Sequence, residues 1–147
     1  MDLFGASLIV VADGAHARLF EERRRGGALI DITPRLGDLS AGSPMASAFA
    51  GRVHDRMGPA SHTIEKPTPA DRREEAFLDR VAAGVATVMA RGEHKDLVLL
   101  AGPRSLGRLR RALGRRGLTA IASEAHDRVG EDAETLRTRL RDLRRTL

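Results

Sequence analysis

The sequence predicts a single α/β domain over residues 1–147, with a mixed five-stranded sheet flanked by helices. Short strand-like runs joined by turn signals fill the first third of the chain. Two later apolar runs alternate with segments of helical period. The length of 147 residues and the 41% hydrophobic content allow one core of ordinary size. The predicted element order is βββ-α-β-α-β-α.

The first third of the chain predicts an antiparallel meander of three strands. Asp13-Gly14 is a strong hairpin signal between an apolar run and an alternating segment. Pro34 ends the third strand because proline has no N–H to donate to a sheet. The predicted strands are residues 7–12, 15–21 and 28–33.

Helices and strands alternate after a long loop. Residues 39–69 have no sustained period and are rich in Gly, Pro, Ser and Ala, and a loop of that length is functional or disordered. Thr68-Pro69 is a helix start, with threonine as N-cap and proline in the first turn. The remaining predicted elements are a helix ending near Gly92, a strand at 96–101, a helix with Leu106, Leu109 and Leu113 buried, a strand at 118–122, and a last helix from about Glu131.

An antiparallel meander followed by right-handed strand–helix units is the topology of ribonuclease H-like proteins and of the release-factor middle domain. A ribonuclease H-type nuclease needs carboxylates from three places around two metal ions. Asp13 ends the first strand and Glu74 lies near the start of the first helix, but the fourth strand ends in LLAGPR, without an acid. Asp13 is therefore predicted to be a turn residue.

The charge predicts an anionic partner. The chain has 25 basic residues, 23 of them arginine, a net charge of +5 and a pI of about 11.0. RNA is the first candidate, and an incidentally basic, solvated surface is the alternative. The chain has no Cys, Trp or Tyr. We expect a cytoplasmic protein, because no signal peptide and no apolar run long enough to cross a bilayer is visible.

Two groups of residues are candidate RNA contacts. The loop residues Arg52, His54 and Arg56 carry donors that suit phosphate oxygens, although a solvated loop would look the same. The second helix has six arginines between positions 104 and 116 and no acid. With Leu106, Leu109 and Leu113 buried, most of these arginines face outward, and a basic stripe on one face of a helix is what a phosphate backbone requires. The candidate contacts are Arg104, Arg108, Arg111 and Arg115. The alternative is that these are solvated arginines paired with acids elsewhere in the fold.

An anion site is predicted where the fourth strand meets the second helix. Gly102, Arg104 and Ser105 lie at a helix N-terminus that follows a strand, where free N–H groups and the helix dipole favour an anion. A tight turn with proline in the first helical turn is the alternative. His54, Asp55 and His62 lack a known metal-ligand spacing, so we predict neither a metal nor a cofactor.

Several segments resemble the host attachment protein family. They are VADGAHARLFE, the pair Gly51-Arg52, REEAFLDRVA, LVLLAGPRSLGRLRRAL and EAHDRVGEDAETLRTRL, and together they cover most of the chain in order. That family is similar to the middle domain of archaeal and eukaryotic class-I release factors. The resemblance implies a release-factor-like domain. The release motif Gly-Gly-Gln is absent, and the chain contains no Gln.

The sequence and the resemblance together predict a non-catalytic accessory protein that associates with the ribosome or tRNA, without a membrane partner. No catalytic residue is assigned. One alternative is a hydrolase of peptidyl-tRNA or phosphodiesters that uses loop residues 50–62, such as His54 and Asp55. Another is a protein with an indirect effect on attachment to host cells. Mixed charges on the last helix leave a homo-oligomer open.

Overall fold

The computed structural model describes residues 5–40 and 66–146. Part of the predicted loop at 39–69, residues 41–65, lies outside the described residues. Residues 39–40 and 66–68 are neither helix nor strand, and Pro69 begins the first helix. No helix within the described ranges is long and apolar enough to cross a membrane. The elements are β1 (Ala6–Ala12), β2 (Ala17–Glu22), β3 (Leu29–Asp31), a short 3-10 helix (Thr33–Leu36), α1 (Pro69–Ala90), β4 (His94–Ala101), α2 (Pro103–Gly114), β5 (Ala122–Ala125) and α3 (Ala133–Arg145).

The sheet has the strand order β3-β2-β1-β4-β5. β1 and β2 are antiparallel, as are β2 and β3, whereas β4 is parallel to both β1 and β5. The predicted fold class, a single α/β domain with a mixed five-stranded sheet and three helices, is confirmed. The carboxyl ends of β1 and β4 lie side by side, and the chain leaves them in opposite directions along the sheet.

The central strand β1 is buried on both faces, which explains its unbroken apolar run. Leu8 and Val10 pack into the core beneath α1 and α2. Ile9 and Val11 point to the other face and pack with Leu136 and other side chains of α3. α1 and α2 therefore cover one face of the sheet, and α3 covers the other.

The predicted start of α1 is confirmed. Thr68 is the N-cap, and its Oγ1 accepts a hydrogen bond from the Asp71 N–H at 3.0 Å. Asp71 Oδ2 in turn accepts from the Thr68 N–H at 2.9 Å, which completes a capping box. Pro69 occupies the first helical turn, where its missing N–H costs nothing. These bonds fix the position of Asp71, which the candidate site uses.

The predicted position of the fifth strand is wrong. The strand is Ala122–Ala125 and not residues 118–122. Leu118 and Ala120 pack against the core as part of an irregular connection, so their apolar character reflects burial in that connection. Ile121 precedes the strand, and its side chain is 63% exposed.

Candidate functional site

The four candidate arginines of α2 lie along one side of that helix. Arg104, Arg108, Arg111 and Arg115 are spaced by four, three and four residues, which returns to the same side at each step. The stripe lies beside α1, because the two helices pack next to each other on the same face of the sheet. The sequence alone identified this alignment, but it did not identify the residues that face the stripe.

Carboxylates of α1 neutralise part of the stripe. Arg108 Nη2 lies 3.1 Å from Asp71 Oδ1, and its Nη1 lies 3.4 Å from Glu74 Oε2. Arg115 Nη2 lies 3.3 Å from Asp79 Oδ1. The Arg108 side chain is only 12% exposed, so it links α2 to α1 and presents little charge to solvent. The alternative of ion pairing elsewhere in the fold thus describes Arg108 well.

The other three arginines of the stripe present charge to solvent. The Arg104 side chain is 71% exposed, although its Nη1 lies 3.5 Å from Asp71 Oδ1. The Arg115 side chain is 57% exposed. Arg111 is exposed, and within the described part of the chain its guanidinium has no hydrogen bond or ion pair. The exposed part of the stripe therefore consists of these three residues.

Hydrogen bonds keep two carboxylates of α1, those of Asp71 and Asp79, ionised. The Thr68 backbone N–H and then the Arg108 guanidinium lower the pKa of Asp71 to about 2. Hydrogen bonds from Arg116 and then from Arg115 hold the pKa of Asp79 below its usual range. Both acids are charged at neutral pH, so the ion pairs between the helices persist there.

The predicted anion site lies at the carboxyl end of β4. Gly102 is the N-cap of α2 and contributes no side-chain cap, and the first turn contains no acid. Arg104 and Ser105 follow in that turn, so the structure brings together the three residues selected from the sequence. The loop after β5 is adjacent, since a Cβ placed on Gly102 would lie 3.9 Å from the Cβ of Asp127. Anion binding here stays a prediction.

The Asp13 turn is confirmed as a hairpin. β1 and β2 pair antiparallel up to Ala12 and Ala17, and Asp13 Oδ1 accepts hydrogen bonds from the N–H groups of Ala15 at 2.8 Å and His16 at 2.6 Å. Partial burial by itself would raise the pKa of Asp13, but these two N–H donors and the His16 side chain hold it below its usual value. The carboxylate thus stabilises the turn, as predicted.

Gly14 brings the hairpin close to the interhelical ion pairs. A Cβ at Gly14 would lie 2.4 Å from Glu74 Oε1. Glycine at this turn position therefore leaves room for the Glu74 carboxylate, which pairs with Arg108. The hairpin turn, α1 and α2 meet at this point, at the carboxyl edge of the sheet.

A cavity of about 630 Å³ opens beside the hairpin. Arg18 lines this cavity. The sequence did not identify it as a site residue, because its strand shows only the usual alternation of apolar and polar side chains. Its Nη1 donates to the carbonyl oxygens of Val129, at 3.1 Å, and Glu131, and its guanidinium stacks 4.8 Å from the centre of the Phe20 ring. Arg18 thus holds the loop before α3. The lining residues are Ala15, His16, Ala17, Arg18, Leu39, Ser40, Phe77 and Val129.

Three candidate RNA contacts, Arg52, His54 and Arg56, lie outside the described residues, as does the metal-type set that includes Asp55 and His62. Within residues 5–40 and 66–146, no three His, Asp or Glu side chains are placed to hold a metal ion. In the described residues, the candidate site therefore consists of α1, α2 and the loops at the carboxyl edge of the sheet.

One comparison with known proteins gives a match. A family model described as "Protein required for attachment to host cells" matches residues 8–140. The match includes β1 from Leu8 onward, the other four strands, both helices of the candidate site and the first eight residues of α3. A comparison with curated proteins found no match.

Proposed function

The chain belongs to the family of proteins required for attachment to host cells, and from this premise we propose that it is a non-catalytic accessory protein that binds the RNA of the ribosome or of tRNA in the cytoplasm. The release-factor-like character of the domain is part of this proposal. The missing Gly-Gly-Gln motif supports the non-catalytic part, because the chain has no glutamine with which to build the motif. An effect on attachment would then be indirect.

The excess of positive charge on the α1–α2 surface carries the proposal. Between residues 69 and 116, the two helices and the end of α2 hold nine arginines against four carboxylates. Three of those carboxylates already pair with arginines of α2 and its end, at distances from 2.9 to 3.5 Å. Guanidinium groups remain in excess after this pairing, and a phosphate backbone is a partner that neutralises such a surface.

Each arginine of the stripe has its own role in the proposal. Arg104, Arg111 and Arg115 contact phosphates, because their side chains are exposed. Arg108 is a positioning residue that holds α2 against Asp71 and Glu74. One phosphate binds at the N-terminus of α2, where the free N–H groups and the helix dipole favour an anion and where Arg104 and Ser105 lie in the first turn. The loop residues Arg52, His54 and Arg56, which lie outside the described residues, are further proposed RNA contacts.

The proposed binding depends on the backbone and not on the base sequence. Stacking of bases on aromatic rings is the usual second component of single-strand binding. The chain has no Trp or Tyr, and Phe20 and Phe77, the two phenylalanines of the described ranges, are buried. Affinity should therefore fall steeply with salt and depend little on base composition.

The test is binding of fluorescently labelled tRNA measured by anisotropy across a salt series. The double variant Arg111→Glu, Arg115→Glu should weaken binding roughly tenfold or more and flatten the salt dependence, because two guanidinium groups no longer pair with phosphates. The matched control is Arg91→Glu, which reverses an arginine of similar exposure (64%) at the far end of α1. Equal reductions in affinity for the double variant and for the control, or no binding by the wild type at low salt, would overturn the proposal.

A further inference from the structure

A second basic surface lies on the other face of the sheet. The turn between β2 and β3 contains three consecutive exposed arginines, Arg23, Arg24 and Arg25. Helix α3 runs beside this turn and carries five arginines. We define the α3 basic surface as Arg24, Arg25, Arg137, Arg141 and Arg145.

Buried and backbone hydrogen bonds fix the turn against α3. Arg144 donates to both oxygens of Glu22, at 2.6 and 2.8 Å, and the Glu22 side chain is 1% exposed. The Gly26 N–H donates to Glu22 Oε2 at 3.1 Å, and Arg137 Nε donates to the Gly26 carbonyl at 2.8 Å. These hydrogen bonds hold the turn against the helix, so the backbone of the neighbouring arginines lies beside α3.

Helical spacing places Arg141 on the same side as the anchors. Arg137, Arg141 and Arg144 are four and three residues apart, so they share the side of α3 that faces the turn. Arg141 and Arg145 are exposed, and so are Arg24 and Arg25. Within the described part of the chain, none of these four guanidinium groups has a hydrogen bond or an ion pair.

Few carboxylates oppose this charge. Glu134 lies 3.5 Å from Arg137, and Glu21 pairs with Arg23 at 2.8 Å. Asp142 is exposed on α3, one residue beyond Arg141 and therefore turned away from it by about 100°. The Glu22 carboxylate already accepts hydrogen bonds from the Arg144 guanidinium and from the Gly26 N–H. In the described residues, Arg24, Arg25, Arg141 and Arg145 thus have no carboxylate within ion-pair distance, and Asp142, three residues before Arg145, is the acid of α3 nearest to them along the helix.

We infer that the α3 basic surface is a second binding surface for the phosphate backbone of a nucleic acid. That the ligand is a nucleic acid rests on the proposed function. The position of the binding surface follows from the geometry of the turn and α3. α2 and α3 lie on opposite faces of the sheet. A polymer that uses both surfaces must pass around one edge of the domain, or two segments of a folded RNA must bind at once.

A nucleic acid fits this surface better than an anionic membrane does. Binding in a membrane interface needs apolar side chains that enter the lipid. The large apolar side chains exposed in the described ranges are Ile30 and Ile121. Ile30 is paired with Glu21 in the sheet, and both side chains lie on the face that α1 and α2 cover. Ile121 comes just before β5, the edge strand on the other side of the sheet from β3. Ile30 therefore faces away from α3, and Ile121 lies near the other edge of the sheet.

The experiment measures binding of a labelled single-stranded oligouridylate by anisotropy at several salt concentrations. The triple variant Arg24→Glu, Arg25→Glu, Arg141→Glu should bind roughly tenfold more weakly for each arginine that is reversed. The slope of log affinity against log salt should fall by about 0.7 for each phosphate of the single strand that the variant no longer neutralises. Arg91→Glu is the matched control for Arg141→Glu alone, since each variant reverses one charge, and unchanged thermal unfolding shows that each variant is folded.

Comparison with the α2 variant separates the inference from the proposed function. Weaker binding by both the triple variant and the Arg111→Glu, Arg115→Glu variant supports both. Weaker binding by the triple variant alone supports the α3 basic surface and refutes the α2 site. Weaker binding by the α2 variant alone overturns the inference. Wild-type binding to phosphatidylserine vesicles, without binding to the oligouridylate, overturns it as well.

Discussion

Replacement of Arg144 by leucine should destabilise the domain, because it removes the buried ion pair that joins α3 to Glu22 of β2. The Glu22 carboxylate accepts two hydrogen bonds from Arg144 and one from the Gly26 N–H, and the residue is 2% exposed. In the variant, the buried carboxylate keeps one of these three donors. Removal of one partner of a buried ion pair costs about 3–5 kcal/mol, because the remaining charge is left without compensation.

The two missing hydrogen bonds give a similar magnitude. Each bond to a charged group contributes about 1.5–3 kcal/mol, so two contribute about 3–6 kcal/mol. For a domain of this length, a destabilisation of about 3 kcal/mol lowers the melting temperature by roughly 10 °C. Thermal and urea unfolding followed by far-ultraviolet circular dichroism measures both quantities. Arg145→Leu is the matched control, since its exposed side chain has no partner in the described residues and should change stability by less than about 0.5 kcal/mol.

A double variant, Glu22→Leu with Arg144→Leu, tests the cause. An apolar pair of similar volume often replaces a buried ion pair at little cost. The double variant should therefore recover most of the stability that Arg144→Leu loses. Two results would refute the reasoning: a destabilisation below about 1 kcal/mol for Arg144→Leu, or a double variant as unstable as the single one.

Three further predictions concern α1. Gly84→Ala should lower the free energy of unfolding in urea by about 1–2 kcal/mol, because the new Cβ would lie 2.4 Å from the Leu36 carbonyl oxygen. This steric cost exceeds what alanine gains over glycine in helix propensity. A variant more stable than the wild type would contradict the prediction. Thr68→Ala should cost about 1 kcal/mol by the same assay because the capping box is removed, whereas Thr68→Ser should cost little. The pKa of Asp71 is lowered from 3.8 to about 2 in the folded protein. The stability that its carboxylate contributes is therefore present above pH 3.8 and is lost as the pH falls towards 2. Urea midpoints that fall equally in the wild type and in Asp71→Asn over that range would contradict this.

Local signals in the sequence predicted most of the fold correctly. The apolar run of β1, the Asp13-Gly14 turn and the Thr68 cap each depend on neighbours within a few residues. The prediction of the fifth strand failed because Leu118 and Ala120 are apolar for a tertiary reason, their packing against the core, which a local pattern cannot distinguish from a strand. The strand that forms, Ala122–Ala125, contains serine and glutamate and shows little apolar alternation.

The sequence predicted the stripe of α2 but not its partners. Helical spacing alone aligned the arginines, whereas Asp71 and Glu74 reach Arg108 only because α1 and α2 pack together, across more than 30 residues of chain. The α3 basic surface was missed for the same reason. Its two halves, the turn at residues 23–25 and the last helix, are joined by Arg144 and Glu22, which are 122 residues apart. Local charge patterns therefore identified candidate cations, and the tertiary fold decided which of them face solvent.

Co-sedimentation of the purified protein with ribosomes across a salt series tests the central claim most directly. The account predicts binding at low salt that weakens as salt rises and that the double variant Arg111→Glu, Arg115→Glu loses while Arg91→Glu retains it. Absence of wild-type protein from the ribosome pellet at the lowest salt, with the protein folded, would contradict the claim that this basic fold binds RNA of the translation machinery.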